Sequence, residues 1–247
     1  QFFDLYFFSP EIIFIVKNNI LRIISPNLNS YELYLIYKDI NNIIIKYEDY
    51  FMNNSYIVRQ RINKNKYYQK TFELSKYIHS GYIYEINFCI EFFVEQFIDD
   101  PIKIFYHLNK ISPAPFSCFY RLKNVYIISA SPERFLKKFN DIVISQPMKG
   151  TIKRGENGIK DIINKNILKN SLKDRTENIM TVDIVRNDLS RYEKSKKVEV
   201  AELCGVYTFS YVHQMISTVK AEIEAGSSIS DIIKSVFPMA SMTGAPK

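Results

Sequence analysis

Between Arg121 and Thr151 the chain reads as strand, turn, strand: Val125 to Ala130, then Phe135 to Lys138, an Asn140-Asp141 turn, and Ile142 to Ser145. Runs this short with turns this tight pair as antiparallel neighbours, because a parallel pair needs a crossover of a dozen or more residues. The signal returns at Val198 to Leu203 and Tyr207 to Val219. It also opens the chain, where Ile12 to Val16 and Ile20 to Ile24 flank the polar turn Lys17-Asn18-Asn19. Helical patterns lie between these runs. The mixture predicts a single α+β domain over residues 1–247, not a doubly wound parallel sheet, with an N-terminal part to about residue 64 and a core portion from about 65.

The helical spacing predicts a first helix from Ser30, as N-cap, to about Lys46. A second runs from Asn65 to His79 and is ended by Ser80-Gly81, with Gly at the C′ position. Tyr82 to Val94, aromatic and β-branched, predicts a strand, followed by an irregular region through Ser112-Pro113-Ala114-Pro115. Ile152 to Lys160 reads as a loop leading into one long helix from Asp161 to Leu189. A further helix covers Ser228 to Val236, with Ser228 and Asp231 as a capping pair. The final Thr243-Gly244-Ala245-Pro246-Lys247 announces a helix, since Pro suits the first helical position. That helix is absent, and the chain opens at Gln1 without an initiator methionine, so a fragment of a longer protein is expected.

A hydrophobic content of 47% in 247 residues is ample for a core. The net charge of +7 raises the question of nucleic acid, but the lysines are scattered among acids, as in Glu193-Lys194-Ser195-Lys196-Lys197, and no zinc-finger, recognition-motif or basic-zipper pattern occurs. A solvated surface is expected, with no nucleic-acid partner. The three cysteines, Cys89, Cys118 and Cys204, are widely spaced and form no Cys-x-x-Cys pair, which fits a reducing, cytoplasmic setting. No apolar run is long enough to span a bilayer, so no membrane role is expected.

The chemistry concentrates in Pro147-Met148-Lys149-Gly150-Thr151. A lone lysine beside a turn is ordinarily a surface residue. Here Gly150 permits close backbone approach and Pro147 fixes the entry of the chain, while Glu133 lies sixteen residues upstream at another strand end. A nucleophilic lysine must be neutral, and at an ordinary pKa of about 10.4 only about one lysine in a few thousand is neutral at pH 7. Burial or a neighbouring cation would help, whereas a close ionised Glu would oppose it. A nearby Glu133 is therefore expected to be at least partly protonated when the lysine is neutral, which suits a general acid.

On the predicted long helix, Asp174, Glu177 and Thr181 share a face, whereas Asp188 returns to it about 20 Å further along the axis. Such carboxylates suit oxygen ligation of Mg²⁺, although ordinary solvent faces look alike. His213 lies in a strand-like run, where a lone His is more often structural than catalytic. Gly150-Thr151-Ile152-Lys153-Arg154-Gly155 does not match a P-loop in order or spacing.

Taken together and in order, six segments resemble the chorismate-utilising enzymes. They are Gly81-Tyr82-Ile83-Tyr84-Glu85-Ile86-Asn87, Ser131 to Phe135, Gln146 to Thr151, Lys173 to Asp188, Val212 to Val219, and Phe237 to Lys247. The resemblance implies two large, mainly antiparallel β-sheets packed face to face with helices outside. It also implies chorismate as substrate, Mg²⁺ clamping a carboxylate, and ammonia from a glutamine amidotransferase subunit or domain.

In that family a lysine matching Lys149 attacks ring carbon C2 as the C4 hydroxyl departs, and ammonia entering at C4 then expels it. Glu133 matches the general acid/base and Glu177 a Mg²⁺ ligand. Gly150, Thr151, His213, Thr243, Gly244 and Ala245 fall at substrate-facing positions. Anthranilate synthases resemble the chain nearly as well but carry Ala at the lysine position. Isochorismate synthases also lack this lysine.

The resemblance therefore points to transfer of ammonia to C4, giving 4-amino-4-deoxychorismate on the para-aminobenzoate branch of folate synthesis. Anthranilate formation and a non-catalytic domain that keeps the fold are the alternatives. Two departures stand out. Several relatives have His where this chain has Gln214, and members continue beyond Thr-Gly-Ala-Pro-Lys with a second Mg²⁺-binding Glu, so the present chain alone is expected to be inactive and poorly soluble.

Overall fold

The computed structural model describes residues 8–44, 55–96 and 99–247, and over these the short strands pair antiparallel throughout. The chain divides into two compact units: residues 1–53 with 121–126, and residues 54–120 with 127–247.

In the first unit β1 (Ile13–Lys17) and β2 (Ile20–Ile24) form the expected hairpin, with Lys17 opposite Ile20. The two turn residues Asn18 and Asn19 have φ of 50° and 61°, the left-handed pair that a two-residue turn with the right twist demands. Helix α1 (Ser30–Asn41) starts one residue earlier than expected in its capping. Asn29, not Ser30, is the N-cap: its Oδ1 accepts from the Glu32 N–H at 3.0 Å while Glu32 Oε2 accepts from the Asn29 N–H at 2.8 Å, a capping box. The helix stops at Asn41, and the rest of its expected extension to Lys46 reaches residues outside those described.

The second unit opens with β3 (Arg59–Gln60) and α2 (Lys64–His79), the latter capped by Asn63 Oδ1 and ended before Gly81 as expected. The predicted strand over Tyr82 to Val94 reduces to two bridges, β4 (Glu85–Ile86) and β5 (Phe92–Phe93). They pair with different partners, β4 with Gly244–Ala245 near the end of the chain and β5 with β3. Within the region expected to be irregular stands α3 (Pro101–Ile111), with Asp100 as N-cap and Pro101 in the first turn. β6 (Phe116–Leu122) and β7 (Val125–Ser131) then form a two-stranded sheet.

The remaining chain builds the central sheet. Its strands are β8 (Arg134–Phe139), β9 (Ile142–Gln146), β10 (Met148–Lys153), β11 (Ser195–Thr208) and β12 (Val212–Ile223). β11 pairs along most of β12, while β9 and β10 pair with successive stretches of it: Val143 lies opposite Ala221, and Met148 opposite Ile216. Between them Pro147, which has no N–H to give, accepts from the Ser217 N–H at 3.1 Å. The segment read as a loop from Ile152 is thus strand as far as Lys153.

The predicted single helix over Asp161 to Leu189 is two, α4 (Gly158–Asn170) and α5 (Leu172–Ser190). Ser171 divides them by ending α4 and capping α5, its Oγ accepting from the Asp174 N–H at 3.3 Å. α5 packs Val182, Val185 and Leu189 with Val143, Val219, Ala221 and Ile223 of the sheet. α6 (Ile229–Val236) adds Ile232 and Val236 to the same core, although Ser228 makes no side-chain capping bond there and instead meets Ser230 Oγ. The short α7 (Ala240–Thr243) and β13 (Gly244–Ala245) follow.

The architecture is the expected α+β. Among the described residues the large sheet is this five-stranded one, and the other pairings are two-stranded. No helix among them is long and apolar enough to cross a membrane. Basic side chains pair with acids over the surface, as at Lys70–Glu73, Lys160–Glu156 and Lys197–Glu199.

Candidate active site

The ladder between β10 and β12 shifts register between Met148 and Thr151, so Lys149 and Gly150 bulge out of it. Gly150 has φ of +92°, and a Cβ there would lie 2.8 Å from Asp174 Cβ. Glycine is therefore required twice, for the backbone angle and for the approach of the first turn of α5. The bulge leaves the Lys149 side chain only 14% exposed, and its Nζ donates to Glu85 Oε1 in an ion pair.

Glu85 reaches this position through β13. Glu85 pairs with Ala245, the Tyr84 N–H donates to Ala245 O at 2.7 Å, and the Asn87 N–H donates to Thr243 O at 3.0 Å. Gly244, at φ of +147°, lets the strands meet, since a Cβ there would overlap the Glu85 carbonyl oxygen. Thr243, Gly244 and Ala245 thus act on the site by holding Glu85, through backbone contacts.

Glu133 sits in the turn between β7 and β8, where Ser131 Oγ accepts from its N–H at 3.3 Å. Its Oε1 accepts from the Met148 N–H at 3.2 Å, one residue before Lys149. Burial raises its carboxyl above the ordinary range; Ser241, the Met148 N–H and the Lys149 charge act in the opposite sense without cancelling that effect. The Ser241 hydroxyl is buried and makes no hydrogen bond of good geometry, so its help to the carboxylate is weak. Sequence reading expected a partly protonated Glu133 beside the lysine, and burial moves the carboxyl in that direction.

Beyond Lys153 lies a second charged cluster. Asp161 Oδ1 accepts from Arg154 Nε at 2.7 Å and from the Gly155 N–H at 2.8 Å, and lies 3.0 Å from His213 Nε2. Arg154 first, then the Gly155 amide and His213, hold this carboxyl well below the usual carboxylate range. His213 is 1% exposed, and its Nδ1 lies 3.0 Å from Thr208 Oγ1. Both ring nitrogens are engaged by protein, so the position assigned to substrate is a buried anchor between β12, β11 and the start of α4. Thr151, exposed, donates to Gln214 Oε1 at 2.7 Å.

On α5, Glu177 is 38% exposed with Lys173 Nζ at 3.9 Å, and the Thr181 hydroxyl is turned back to Glu177 O. Asp188 is buried and accepts from Lys247 Nζ at 2.6 Å. No group of three His, Cys, Asp or Glu among the described residues is placed to hold a metal ion by itself. Mg²⁺ commonly takes one or two protein carboxylates and completes its shell with substrate oxygens and water, so Glu177 fits as a single oxygen donor but not as part of an all-protein cage. Sequence reading missed Glu85, Asp161 and Ser241. For Glu85 a signal existed, an acid within the aromatic run Tyr82 to Phe88.

A five-stranded antiparallel sheet backed by α5, with a lysine bulged from β10 toward two carboxylates, defines a class. The chain belongs to the chorismate binding enzyme family, whose match covers residues 45–247. Within it, the chain is 37% identical over 189 residues to aminodeoxychorismate synthase component 1 of Klebsiella aerogenes, covering 76% of this chain and 42% of that protein. To the Escherichia coli protein of the same description it is 36% identical over 200 residues, covering 81% of this chain and 44% of that one. The chain thus spans under half the length of these curated relatives. Among solved structures, anthranilate synthase component I from Streptococcus pneumoniae shares the fold with a TM-score of 0.77 at 22% identity, over 96% of this chain and 54% of that one.

Proposed function

We propose that the protein aminates chorismate at C4, giving 4-amino-4-deoxychorismate for para-aminobenzoate and folate synthesis, with ammonia from a glutamine amidotransferase partner. The observation that carries this reading is the shielded Lys149, paired with Glu85 and lying on the chain next to the residue whose N–H holds Glu133. Its similarity to relatives described as aminodeoxychorismate synthase component 1 supports the same branch.

In this mechanism the neutral Lys149 amine attacks C2. The ring double bonds shift, and the C4–O bond breaks as Glu133, whose carboxyl burial shifts toward the protonated form, gives its proton to the departing hydroxyl. Ammonia then adds at C4 and the reverse shift expels the lysine. Glu177 would hold Mg²⁺, which when bound neutralises a substrate carboxylate. The bulge and the packing of Gly150 against the first turn of α5 fix the backbone that carries the amine, so position rather than strong binding supplies much of the rate.

The test is incubation of the intact gene product with chorismate, Mg²⁺ and ammonium, with products resolved by chromatography. The expected product is 4-amino-4-deoxychorismate without pyruvate. Anthranilate and pyruvate as the main products would place the protein with the anthranilate synthases instead. Absence of any turnover by the intact gene product would favour a non-catalytic domain that keeps the fold.

A further inference from the structure

We infer that Glu85 is the proton acceptor that converts Lys149 into a nucleophile, and that β13 exists in this site to hold it there. The inference rests on the reading of Lys149 as the attacking amine. It assigns separate tasks to two carboxylates that serve one lysine.

The geometry divides those tasks. Glu85 is bonded to the Lys149 ammonium itself, whereas Glu133 accepts from a backbone N–H and approaches Lys149 only through space. Burial shifts Glu133 toward its protonated form, which suits it to give a proton rather than to take one from the lysine. Asp174, packed against Gly150, is the next acid on the neighbouring helix, and no hydrogen bond joins it to Lys149. The hydrogen-bonded carboxylate is the one placed to receive the proton.

The pair is also built for transfer. Lys149 and Glu85 retain 14% and 20% exposure. Water reaching that remaining surface stabilises the ionic form, and a substrate that covers it removes this support. Moving the proton from Nζ to Glu85 then discharges both groups together, which is the cheaper state once both are desolvated.

The step balances. The Nζ–H bond breaks, a Glu85 O–H bond forms, and the freed lone pair makes the bond to C2. At the other end the C4–O bond breaks with the proton from Glu133. The site begins with an ammonium, one carboxylate and one acid; it ends with a secondary ammonium on the adduct, a Glu85 acid, a Glu133 carboxylate and water.

Two readouts on Glu85→Gln test this in the protein. The first needs no substrate: acetylation of Lys149 by a neutral acylating reagent at fixed pH, followed by peptide mass spectrometry. Without the Glu85 carboxylate, labelling of Lys149 is expected to rise at least about threefold. The second is turnover with chorismate and ammonium, where kcat is expected to fall about a hundredfold or more with little change in KM. Glu85→Asp, which keeps the acid, should recover part of kcat and guards against a Gln variant that fails to fold, as judged by thermal melting.

Unchanged labelling in Glu85→Gln overturns the pair. Raised labelling with unchanged or faster turnover overturns proton transfer and leaves Glu85 as a lock. If the intact wild-type gene product does not turn over chorismate at all, the functional reading fails, and the labelling arm alone still decides whether Glu85 controls the lysine.

Discussion

Two charged clusters flank the same strand, β10, and they are built on opposite terms. Past its C-terminal end, Arg154, Asp161, His213 and Thr208 form a saturated set in which three donors converge on one carboxylate oxygen and both nitrogens of a buried imidazole are engaged. Near its start, Lys149, Glu85, Glu133 and Ser241 form an unfinished set with one raised carboxyl and one buried hydroxyl lacking a good partner. Satisfied buried networks rigidify, whereas an incompletely satisfied one is an environment a ligand can complete. The same strand is thus anchored at one end and left chemically open at the other.

The largest effect should come from emptying the open cluster. Lys149→Ala is expected to lower product formation at least about a thousandfold and to abolish any adduct trapped for mass spectrometry, while melting shifts little because Glu85 can rehydrate. An adduct that persists would remove Lys149 from the mechanism. His213→Ala should do the reverse, costing about 2–4 kcal/mol in denaturant unfolding through lost packing and hydrogen bonds. Activity per folded molecule should be largely kept. Equal losses of activity and stability in both variants would erase the distinction between the clusters.

Gly150→Ala strikes the hinge between the two. Its left-handed φ and the 2.8 Å approach to Asp174 predict a loss of about 1–3 kcal/mol, with activity falling further as Lys149 is displaced. Unchanged melting would show that the bulge can relax.

The clusters should also answer pH with opposite signs. Glu133 is raised, so its contribution favours the folded state at low pH and is lost as pH rises from the unfolded value near 4.3 through the folded one. Glu133→Gln should therefore gain stability relative to wild type as pH rises above the unfolded value near 4.3. Asp161 is lowered, so its contribution is present above about pH 3.9 and lost as pH falls through the folded value. Asp161→Asn should be less stable than wild type at neutral pH, and the difference should close only in strong acid. Melting curves across pH that move in the same direction for both variants would contradict this assignment. The smallest effect is expected from Thr151→Val, where loss of the exposed bond to Gln214 should cost less than about 1 kcal/mol.

What could be read from sequence follows the range of the interactions. The Asn18-Asn19 and Asn140-Asp141 turns were legible because local residues carry the left-handed angles and the flanking alternation fixes the strands. Helix α2 was legible because its stop, Ser80-Gly81, adjoins it. Ser171 was not recognised as a break, since its role appears only when its hydroxyl turns to the Asp174 N–H. The last two residues of β10, Ile152 and Lys153, read as the start of a loop, yet they pair with His213 and Val212 beyond the register shift along β12.

In the site, Lys149 and Glu133 were expected from the motif, and the Met148 N–H that holds Glu133 is the chain neighbour of Lys149. Glu85 was not expected there: an acid within an aromatic run is a signal, but what it meets depends on Gly244 and Ala245, far along the chain. His213 was assigned toward substrate from its position in the family pattern, whereas Asp161 claims it from the start of another helix.

The contact between β4 and β13 also sets an order of events in time. Asn87 Nδ2 donates to Ser241 O across 154 residues, and the neighbouring Glu85 meets Gly244 and Ala245 in the same crossing. At a synthesis rate of about 5–20 residues per second, Glu85 leaves the ribosome on the order of ten seconds before the segment that seats it. Lys149 therefore leaves the ribosome about a hundred residues before the Gly244–Ala245 segment that seats its partner Glu85, so a nascent chain would carry the amine before the ion pair can form.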